Sequence, residues 1–156
     1  MPTRDPLTQQ LESKILADIP IAKLMGFQVL SVNESGADCR LPLAPNTNHL
    51  GTQFGGSLYA AGALSCYTAL MGLLARRGLS SNNIVISEGH IEYLSPGTDD
   101  VRLEARLPPE GQDTFALHLR QKGRARLKLE TSIFDATNKM IARVKGEYLV
   151  RLETRP

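Results

Sequence analysis

Two adjacent glycines, Gly55 and Gly56, stand immediately before a long apolar segment that is predicted to form a helix. Backbone N–H groups at a helix N-terminus are fixed donors for negative charge that develops on a carbonyl oxygen, and the helix dipole strengthens them. A ligand can reach such donors only where the local side chains are small, and glycine has none. The pair therefore predicts that a carbonyl is polarised at Gly56. The alternative is that the glycines only allow a tight turn into a packed helix.

Polar side chains precede the glycines at Asn48, His49 and Gln53. Asn48 can donate its amide to the same carbonyl or orient a water, or it can bond the backbone of its own loop. His49 is a candidate general base near neutral pH, although a lone loop histidine is more commonly an exposed polar residue. Gln53 can hold a water at the end of the loop. The predicted substrate-binding set at this point is Gln53, Phe54, Gly55 and Ser57.

Nucleophiles and metal ligands give weaker signals. Ser65 and Cys66 lie within the apolar segment with no adjacent base, so a buried and inert role is favoured for both. The histidines His90 and His118 do not show the Cys/His/Asp spacing that is typical of a metal site. The sequence therefore predicts neither a metal nor another cofactor.

Four basic residues fall on one side of a predicted strand: Lys122, Arg124, Arg126 and Lys128. Because Arg and Lys bind phosphate well, Arg124 and Arg126 are candidates for phosphate contacts with a substrate. The alternative is a solvated strand face. The net charge is only +2 and no aromatic platform accompanies the basic residues, so no nucleic-acid partner is expected.

Helical spacing and alternation locate the elements that must position these residues. A first helix is predicted over Leu7–Ile19, a short turn over Ile21–Met25, and the long helix over Gly56–Arg77. Asp113–Arg120 is compatible with either a helix or a strand. Strands are predicted over Phe27–Val32, Ala37–Leu43, Ile84–Leu94, Val101–Leu107, Ala125–Asp135 and Ile141–Leu152.

The long helix is apolar on every face. No Asp, Glu, Lys or Arg occurs between Leu41 and Ala75, and Ser57–Ala75 is nearly long enough to cross a bilayer. Small and polar residues interrupt it, and the rest of the chain is typical of amphipathic strands, which favours a buried core helix over a membrane span. One antiparallel sheet that curls around the helix, extended by the sheet of a partner, would cover it. We expect an α+β protein with one domain, residues 1–156, and no membrane partner.

Composition fits this expectation, since apolar residues make up 42% of the 156 residues and charged residues 22%. The N-terminus lacks a signal peptide, because Asp5, Glu12 and Lys14 interrupt any apolar run. Cys39 and Cys66 are too few for a disulfide framework and are expected to be reduced core residues. Together these features predict a cytoplasmic protein.

The segment Asn46–Tyr59 contains the pattern Asn-x-x-Gly-Thr-x-x-Gly-Gly, from Asn48 to Gly56, directly before the apolar helix. It resembles the signature of a bacterial thioesterase-like family of the hot-dog superfamily, whose domain also occurs behind an acetyltransferase-like domain. The resemblance implies a hot-dog fold, in which an antiparallel sheet wraps one long central helix. It also implies acyl-CoA or acyl-carrier-protein substrates and sites at a subunit interface. Three later segments fit the same family: Ile84–Pro96, Lys122–Leu127 and Gly146–Tyr148.

The sequence departs from better-known relatives in two places. Some hot-dog thioesterases carry a His directly before the two glycines, where this chain has Phe54. Many place an Asp or Glu about two turns into the helix, where this chain has only the apolar and small residues of Ala61–Cys66. A base must therefore come from elsewhere. Glu88 is a candidate, since its strand lies at the subunit interface in hot-dog dimers. We prefer it to His49 because the strand would fix it, whereas His49 lies in a mobile loop; the alternative is an outward-facing strand carboxylate.

Three functions follow from the resemblance. The first is an acyl thioesterase acting on acyl-CoA or acyl-carrier-protein thioesters. The second is an acyl-binding module without catalysis, which the missing helix acid favours. The third, a dehydratase, would need a well-placed His with an acid, which the sequence does not offer. We also predict a homodimer, possibly paired into a homotetramer, with Ile84–Leu94 as the strand that pairs with the partner.

Overall fold

The computed structural model describes residues 3–153. The expected domain limits also include residues 1–2 and 154–156, which lie outside the described part of the chain. The elements, in chain order, are α1 (Pro6–Asp18), α2 (Pro20–Leu24), β1 (Gln28–Asn33), β2 (Gly36–Leu41), a short 3-10 turn (Ala44–Asn46), α3 (Gly55–Arg76), β3 (Asn83–Tyr93), β4 (Val101–Arg106), α4 (Gln112–Lys122), β5 (Arg124–Phe134) and β6 (Met140–Arg151).

The six strands form one antiparallel sheet in the order β1-β2-β4-β5-β6-β3. Alternation places every second residue of a strand on the same face of the sheet. In β4, Val101, Leu103 and Ala105 are buried, while Arg102 and Glu104 are partly exposed. The buried face packs against α3, and the opposite face, called the outer face below, carries the charged residues. The predicted α+β hot-dog arrangement is thus confirmed.

The long helix α3 is the core of the molecule. Its most apolar 18-residue window would be long and apolar enough to cross a membrane, but 72% of that window is buried within the fold. Close packing against the sheet requires small residues on the helix. At Gly62 a side chain would collide with Val144 of β6, so glycine is needed there for close approach. One stripe of the helix, including Ala60, Ala63 and Tyr67, is only partly covered.

The segment that was compatible with helix or strand is the helix α4. Phe115, Ala116 and Leu119 recur at helical spacing and are buried. Left-handed glycines stand at both ends, Gly111 with φ 91° and Gly123 with φ 71°. Lys122 therefore ends α4, and its prediction as part of the basic strand face was wrong. Because the strand begins only after Gly123, a left-handed helix cap, Lys122 cannot share the strand's alternation.

The two edge strands of the sheet differ in whether their outward-facing backbone groups have hydrogen-bond partners. On β1, the N–H of Val29 donates to the Glu12 carboxylate (2.8 Å) and the N–H of Val32 donates to the Thr8 hydroxyl (3.1 Å), so α1 covers this edge. On β3, no described element pairs with the second edge of the strand. An uncovered edge strand of this length is a template for pairing with another chain.

We expect a homodimer in which β3 pairs with its own copy, because this is the edge that the fold leaves open. Light scattering at micromolar concentration should give twice the subunit mass of 17.1 kDa. Val85→Lys should weaken the dimer, since a lysine on an edge strand opposes pairing. Leu30→Lys is the matched control on the covered edge, as Leu30 is 41% and Val85 51% exposed. A monomeric parent protein would contradict the prediction.

Candidate active site at the N-terminus of helix α3

Helix α3 begins at Gly55 without any side-chain cap. Phe54 occupies the N-cap position in an extended conformation, and the first turn contains no acidic residue. The N–H groups of Gly55, Gly56 and Ser57 have no acceptor among residues 3–153. Orphan donors at a helix start are normally satisfied by a capping side chain, water or a ligand. The start of α3 is thus a set of free donors at the positive end of a long helix.

The ring of Phe54 lies over this helix start. A Cβ atom built on Gly56 would be 2.6 Å from Cε1 of Phe54, so the ring rests directly on the glycine. The Phe54 backbone is held, because its N–H donates to the carbonyl of Asn46 (2.7 Å), and Asn46 is itself buried. The side chain is 55% exposed and is therefore free to move. The Phe54 ring thus stands beside the N–H donors of the first turn of α3.

The loop before the helix is organised by Asn48. Its side-chain amide nitrogen donates to the Thr52 hydroxyl (2.8 Å), and its side-chain oxygen accepts from the N–H groups of Leu50 (2.9 Å) and Thr52 (3.1 Å). This is the local bonding that was the alternative to a direct role. One hydrogen of the amide group remains available, since the nitrogen carries two hydrogens and the described contacts use one. Next to it, His49 is exposed in the loop.

Gln53 is buried, with only 4% of its surface exposed. Its backbone N–H donates to the carbonyl of Gly97 (2.8 Å), and its side-chain amide donates to the carbonyl of Asp99 (3.2 Å). Its side-chain oxygen has no donor among the described residues. A buried acceptor without a partner is costly, so a water or ligand donor is expected at this oxygen.

An open pocket of about 480 Å³ lies in front of the helix start. Asn48, Thr52, Gln53 and Gly55 line one side, and Tyr93 with the following residues of β3 lines the other. The Tyr93 hydroxyl donates to the carbonyl of Gly55 (2.8 Å) and so ties the end of β3 to the first turn of α3. Burial raises the pKa of Tyr93, which keeps the hydroxyl protonated as a donor. The sequence pattern gave no signal for Tyr93 because strand and helix start are far apart in the chain.

A second pocket of about 710 Å³ follows the partly covered stripe of α3. Its lining is mostly apolar, with Ala60, Ala63 and Tyr67 from the helix and Ile84 and Ile86 from β3. It begins one turn beyond Gly56, on the side of the helix that faces away from the centre of the sheet.

Glu88 is not part of this arrangement. A side chain on its neighbour Gly89 would collide with the Tyr59 hydroxyl on α3, so Gly89 faces the helix and Glu88 faces outward. Glu88 lies opposite Glu147 in the ladder and is exposed. The cause is a β-bulge between Ile86 and Glu88, which shifts the alternation of the strand by one residue.

The predicted phosphate ligands are also outside the pocket. Arg126 pairs with Glu147 (2.9 Å) on the outer face, and this pairing holds the pKa of the Glu147 carboxyl below its usual range. Arg124 lies at the first residue of β5. Within one subunit, Asn48, Gln53 and Gly55 line the pocket, and Phe54, Gly56 and Ser57 stand at the same helix start. His49 is in the preceding loop but does not line the pocket, and Glu88, Arg124 and Arg126 lie elsewhere.

The candidate nucleophiles are buried away from the pocket. The Ser65 hydroxyl donates to the carbonyl of Ala61 (2.8 Å), and the Cys66 sulfur lies 3.0 Å from the Thr131 hydroxyl. Burial raises the pKa of Cys66 to about 11 and that of Cys39 to about 12. Because the thiolate is the reactive form, these thiols are inert near neutral pH. No cluster of His, Cys, Asp and Glu within residues 3–153 is arranged to hold a metal ion.

Comparison with known proteins identifies the family. A family model described as "Putative thioesterase (yiiD_Cterm)" matches residues 8–152. The chain belongs to this thioesterase family. It is similar to a solved thioesterase-family structure from Shewanella oneidensis, with 28% identity, a TM-score of 0.83, and coverage of 93% of this chain and 97% of that one. No curated protein sequence matches the chain.

Two further structures extend the comparison. A Chlorobaculum tepidum protein of unknown function shares 27% identity, with a TM-score of 0.89 over 97% of this chain and 98% of that one. The PaaI protein of the Escherichia coli phenylacetic acid degradation operon shares 19% identity, with a TM-score of 0.69 over 97% of each chain, and this likeness concerns the fold alone. The family and these neighbours support a thioesterase-like hot-dog protein.

We expect Asn48→Ala to loosen the loop before α3, because it removes the acceptor for two backbone N–H groups. Amide hydrogen exchange at Leu50 and Thr52 should accelerate by roughly 10-fold, the scale of one net hydrogen bond. His49→Ala is the matched control in the same loop and should leave both rates unchanged. Unaltered exchange in Asn48→Ala would show that the loop holds its shape without this side chain.

Proposed function

We propose that the protein hydrolyses acyl thioesters of coenzyme A or acyl carrier protein, at a site built around the N-terminus of α3. The observation that carries the proposal is the uncapped helix start, where the N–H groups of Gly55, Gly56 and Ser57 have no acceptor in the described chain. The family membership and the adjacent apolar groove support the same reaction. We further propose that it acts in the cytoplasm as a dimer, or as a tetramer made of two such dimers.

In this proposal the thioester carbonyl oxygen sits at the N–H groups of the first helical turn. Negative charge that develops on this oxygen during attack is stabilised by fixed donors and by the dipole of a helix of 22 residues. The free hydrogen of the Asn48 amide is a further donor. The acyl chain lies in the apolar groove beside Ala60 and Ala63, and the Phe54 ring must swing away from Gly56 before the carbonyl can reach the helix.

The chemical step is the attack of a water oxygen on the carbonyl carbon. A base takes one proton from the water, the carbonyl π bond opens to the oxyanion, and collapse of this intermediate breaks the carbon–sulfur bond. The thiolate leaves and takes up a proton. The buried, unpartnered side-chain oxygen of Gln53 can accept a hydrogen bond from a water enclosed beside the pocket.

The base in this proposal is His49 rather than Glu88. His49 is the chain neighbour of Asn48, which lines the pocket, whereas Glu88 faces the opposite side of its strand from α3. A neutral imidazole nitrogen can take a proton from water.

A second candidate function is acyl binding without hydrolysis. The observation that favours it is the lining of the pocket at the helix start, which contains no carboxylate and no histidine side chain. Free thiol release from a panel of acyl-CoA substrates separates the two functions, because a binding module retains the thioester intact.

We expect Gly56→Val to lower kcat/KM by roughly 10²-fold or more, the scale for losing an oxyanion donor. The branched side chain would block the approach of the carbonyl to the helix start. The fold should survive, because the nearest obstacle is the exposed Phe54 ring, and circular dichroism checks this point. The double variant Phe54→Ala/Gly56→Val is the control for a displaced ring. Full thiol release by folded Gly56→Val would show that the glycines serve only the turn.

We expect His49→Ala to lower kcat by roughly 10²-fold, the usual scale for losing a general base, with KM nearly unchanged. Glu88→Gln should have a much smaller effect, since its carboxylate is exposed on the outer face. If Glu88→Gln loses activity and His49→Ala does not, the two roles are reversed. If both variants keep full activity, another group activates the water.

A further inference from the structure

Three cationic side chains meet at one end of the sheet without an ion-pair partner in the described chain. Lys122 ends α4, Arg124 begins β5 and Arg151 ends β6. Together with Asn83, Gly123 and Leu152 they line an open pocket of about 760 Å³. None of the three makes an ion pair within residues 3–153, in contrast to Arg126, which is held by Glu147. We call this group the rim cluster.

The fold alone does not account for the rim cluster. Lys122 is explained by the helix dipole, which favours a cation in the last turn of α4. Arg124 and Arg151, however, lie directly opposite each other on neighbouring strands, and like charges in that position are destabilising. The one acid in the pocket is Glu153, whose carboxylate accepts from the N–H of Asn82 at 3.2 Å. Three cations that share a pocket with one carboxylate leave an excess of positive charge, which favours a phosphate ligand.

Within one subunit the rim cluster is far from the helix start. It sits beside Asn83, at the first residue of β3, whereas Tyr93, at the last residue, contacts Gly55. With 11 residues in the strand, these ends are roughly 33 Å apart at about 3.3 Å per residue. No single subunit can therefore use both features on one small substrate.

Pairing of β3 with its own copy changes this relation. A two-fold axis near the middle of the strand makes the pairing antiparallel, so Tyr93 of one subunit lies beside the first residue of β3 in the other. Arg151 lies on the next strand and Arg124 on the one after that. At about 4.8 Å per strand, the two guanidinium-bearing residues of the second copy are displaced from Tyr93 by roughly 10 and 14 Å.

We propose that Lys122, Arg124 and Arg151 of one subunit bind the phosphates of a coenzyme A thioester whose carbonyl lies at the α3 N-terminus of the other subunit. This proposal rests on the proposed thioesterase function and on the β3 dimer. The pantetheine arm has about thirteen bonds between sulfur and phosphorus, a little over four extended residues, and so spans about 15 Å. That length matches the displacement between the helix start and the rim cluster across the dimer.

Coenzyme A fits the rim cluster better than the surface of a carrier protein does. A protein partner covers roughly 800 Å² on each side of an interface. Next to Arg124 along β5, the charge of Arg126 is offset by Glu147 on the outer face. A compact positive site matches the several negative charges of the coenzyme A phosphates, which are concentrated in a small volume.

The test compares an acyl-CoA with the same acyl group on pantetheine, which lacks the phosphates. The double variant Arg124→Gln/Arg151→Gln should raise KM for the acyl-CoA by roughly 10- to 100-fold, the scale for charge-assisted hydrogen bonds. The kcat for acyl-CoA and the kcat/KM for acyl-pantetheine should not change. Arg120→Gln is the control, since it removes the same charge from α4 while its guanidinium bonds the Arg77 carbonyl. An unchanged KM, or an equal loss on both substrates, would overturn the proposal.

Mixed dimers test the contribution of the second subunit. One subunit carries Gly56→Val and the other carries Arg124→Gln/Arg151→Gln. If the site spans two subunits, one site in each mixed dimer combines the intact helix start of the arginine variant with the intact rim cluster of the Gly56→Val subunit. Activity with a low KM then returns. Activity that stays at high KM would place both features within one subunit and overturn the proposal.

Two further outcomes are separable. Loss of turnover with acyl carrier protein alone, at unchanged acyl-CoA kinetics, would assign the rim cluster to the carrier protein and overturn the coenzyme A proposal. If the parent releases no thiol from any substrate, the thioesterase proposal fails, and calorimetry of coenzyme A against pantetheine still tests the rim cluster. If coenzyme A then binds the double variant as tightly as it binds the parent, the rim-cluster proposal is overturned.

Discussion

The helix α3 must be kept from water on every side, and a single curled sheet covers only part of its circumference. Its 22 residues carry no charge before Arg76, so exposure of the uncovered stripe would be costly in water. The six strands bury one side, and α1 covers another part. The remainder opens into the groove beside Ala60 and Ala63. The same constraint that fixes the fold therefore leaves an apolar channel next to the helix start.

The start of α3 shows how a structural requirement and a chemical one coincide. A helix needs partners for its first N–H groups, and most helices obtain them from a Ser, Thr, Asp or Asn at the N-cap. Here the N-cap is Phe54, which has no acceptor to offer. The donors are left open in the described chain, next to the buried and unpartnered oxygen of Gln53. Both features are unfavourable in an empty protein and favourable when a polar ligand is bound.

Much of the fold could be predicted from the sequence because alternation and helical spacing are local. The six strands and the long helix were found within a few residues of their observed ends, and β2 stops at Leu41 because Pro42 cannot donate to the ladder. The helix α4 was ambiguous because its buried residues are few and its other residues are polar. Asn48, Gln53 and Gly55 line one pocket because they are close together in the chain, and their roles stay predictions.

The position of Glu88 could not be predicted by alternation, since counting by two from Ile84 and Ile86 places it on the inner face. The bulge at Ser87 shifts the count, so that Gly89, Ile91 and Tyr93 face inward instead. The sequence does contain a signal for the bulge, because the isoleucines before it have even numbers, whereas Ile91 and Tyr93 after it have odd numbers. Tyr93 was missed for another reason: its contact with Gly55 joins segments 38 residues apart.

The hydrogen bonds that cover the β1 edge limit how the proposed dimer could assemble further. The side chains of Glu12 and Thr8 satisfy the N–H groups of β1 from helix α1, so only one edge of each sheet can join another chain. Two subunits that pair through β3 then form a closed unit with no edge left over. Without α1, each subunit would present two open edges, and pairing through both would add subunits without limit. By satisfying these N–H groups, the N-terminal helix protects the β1 edge from pairing with another chain.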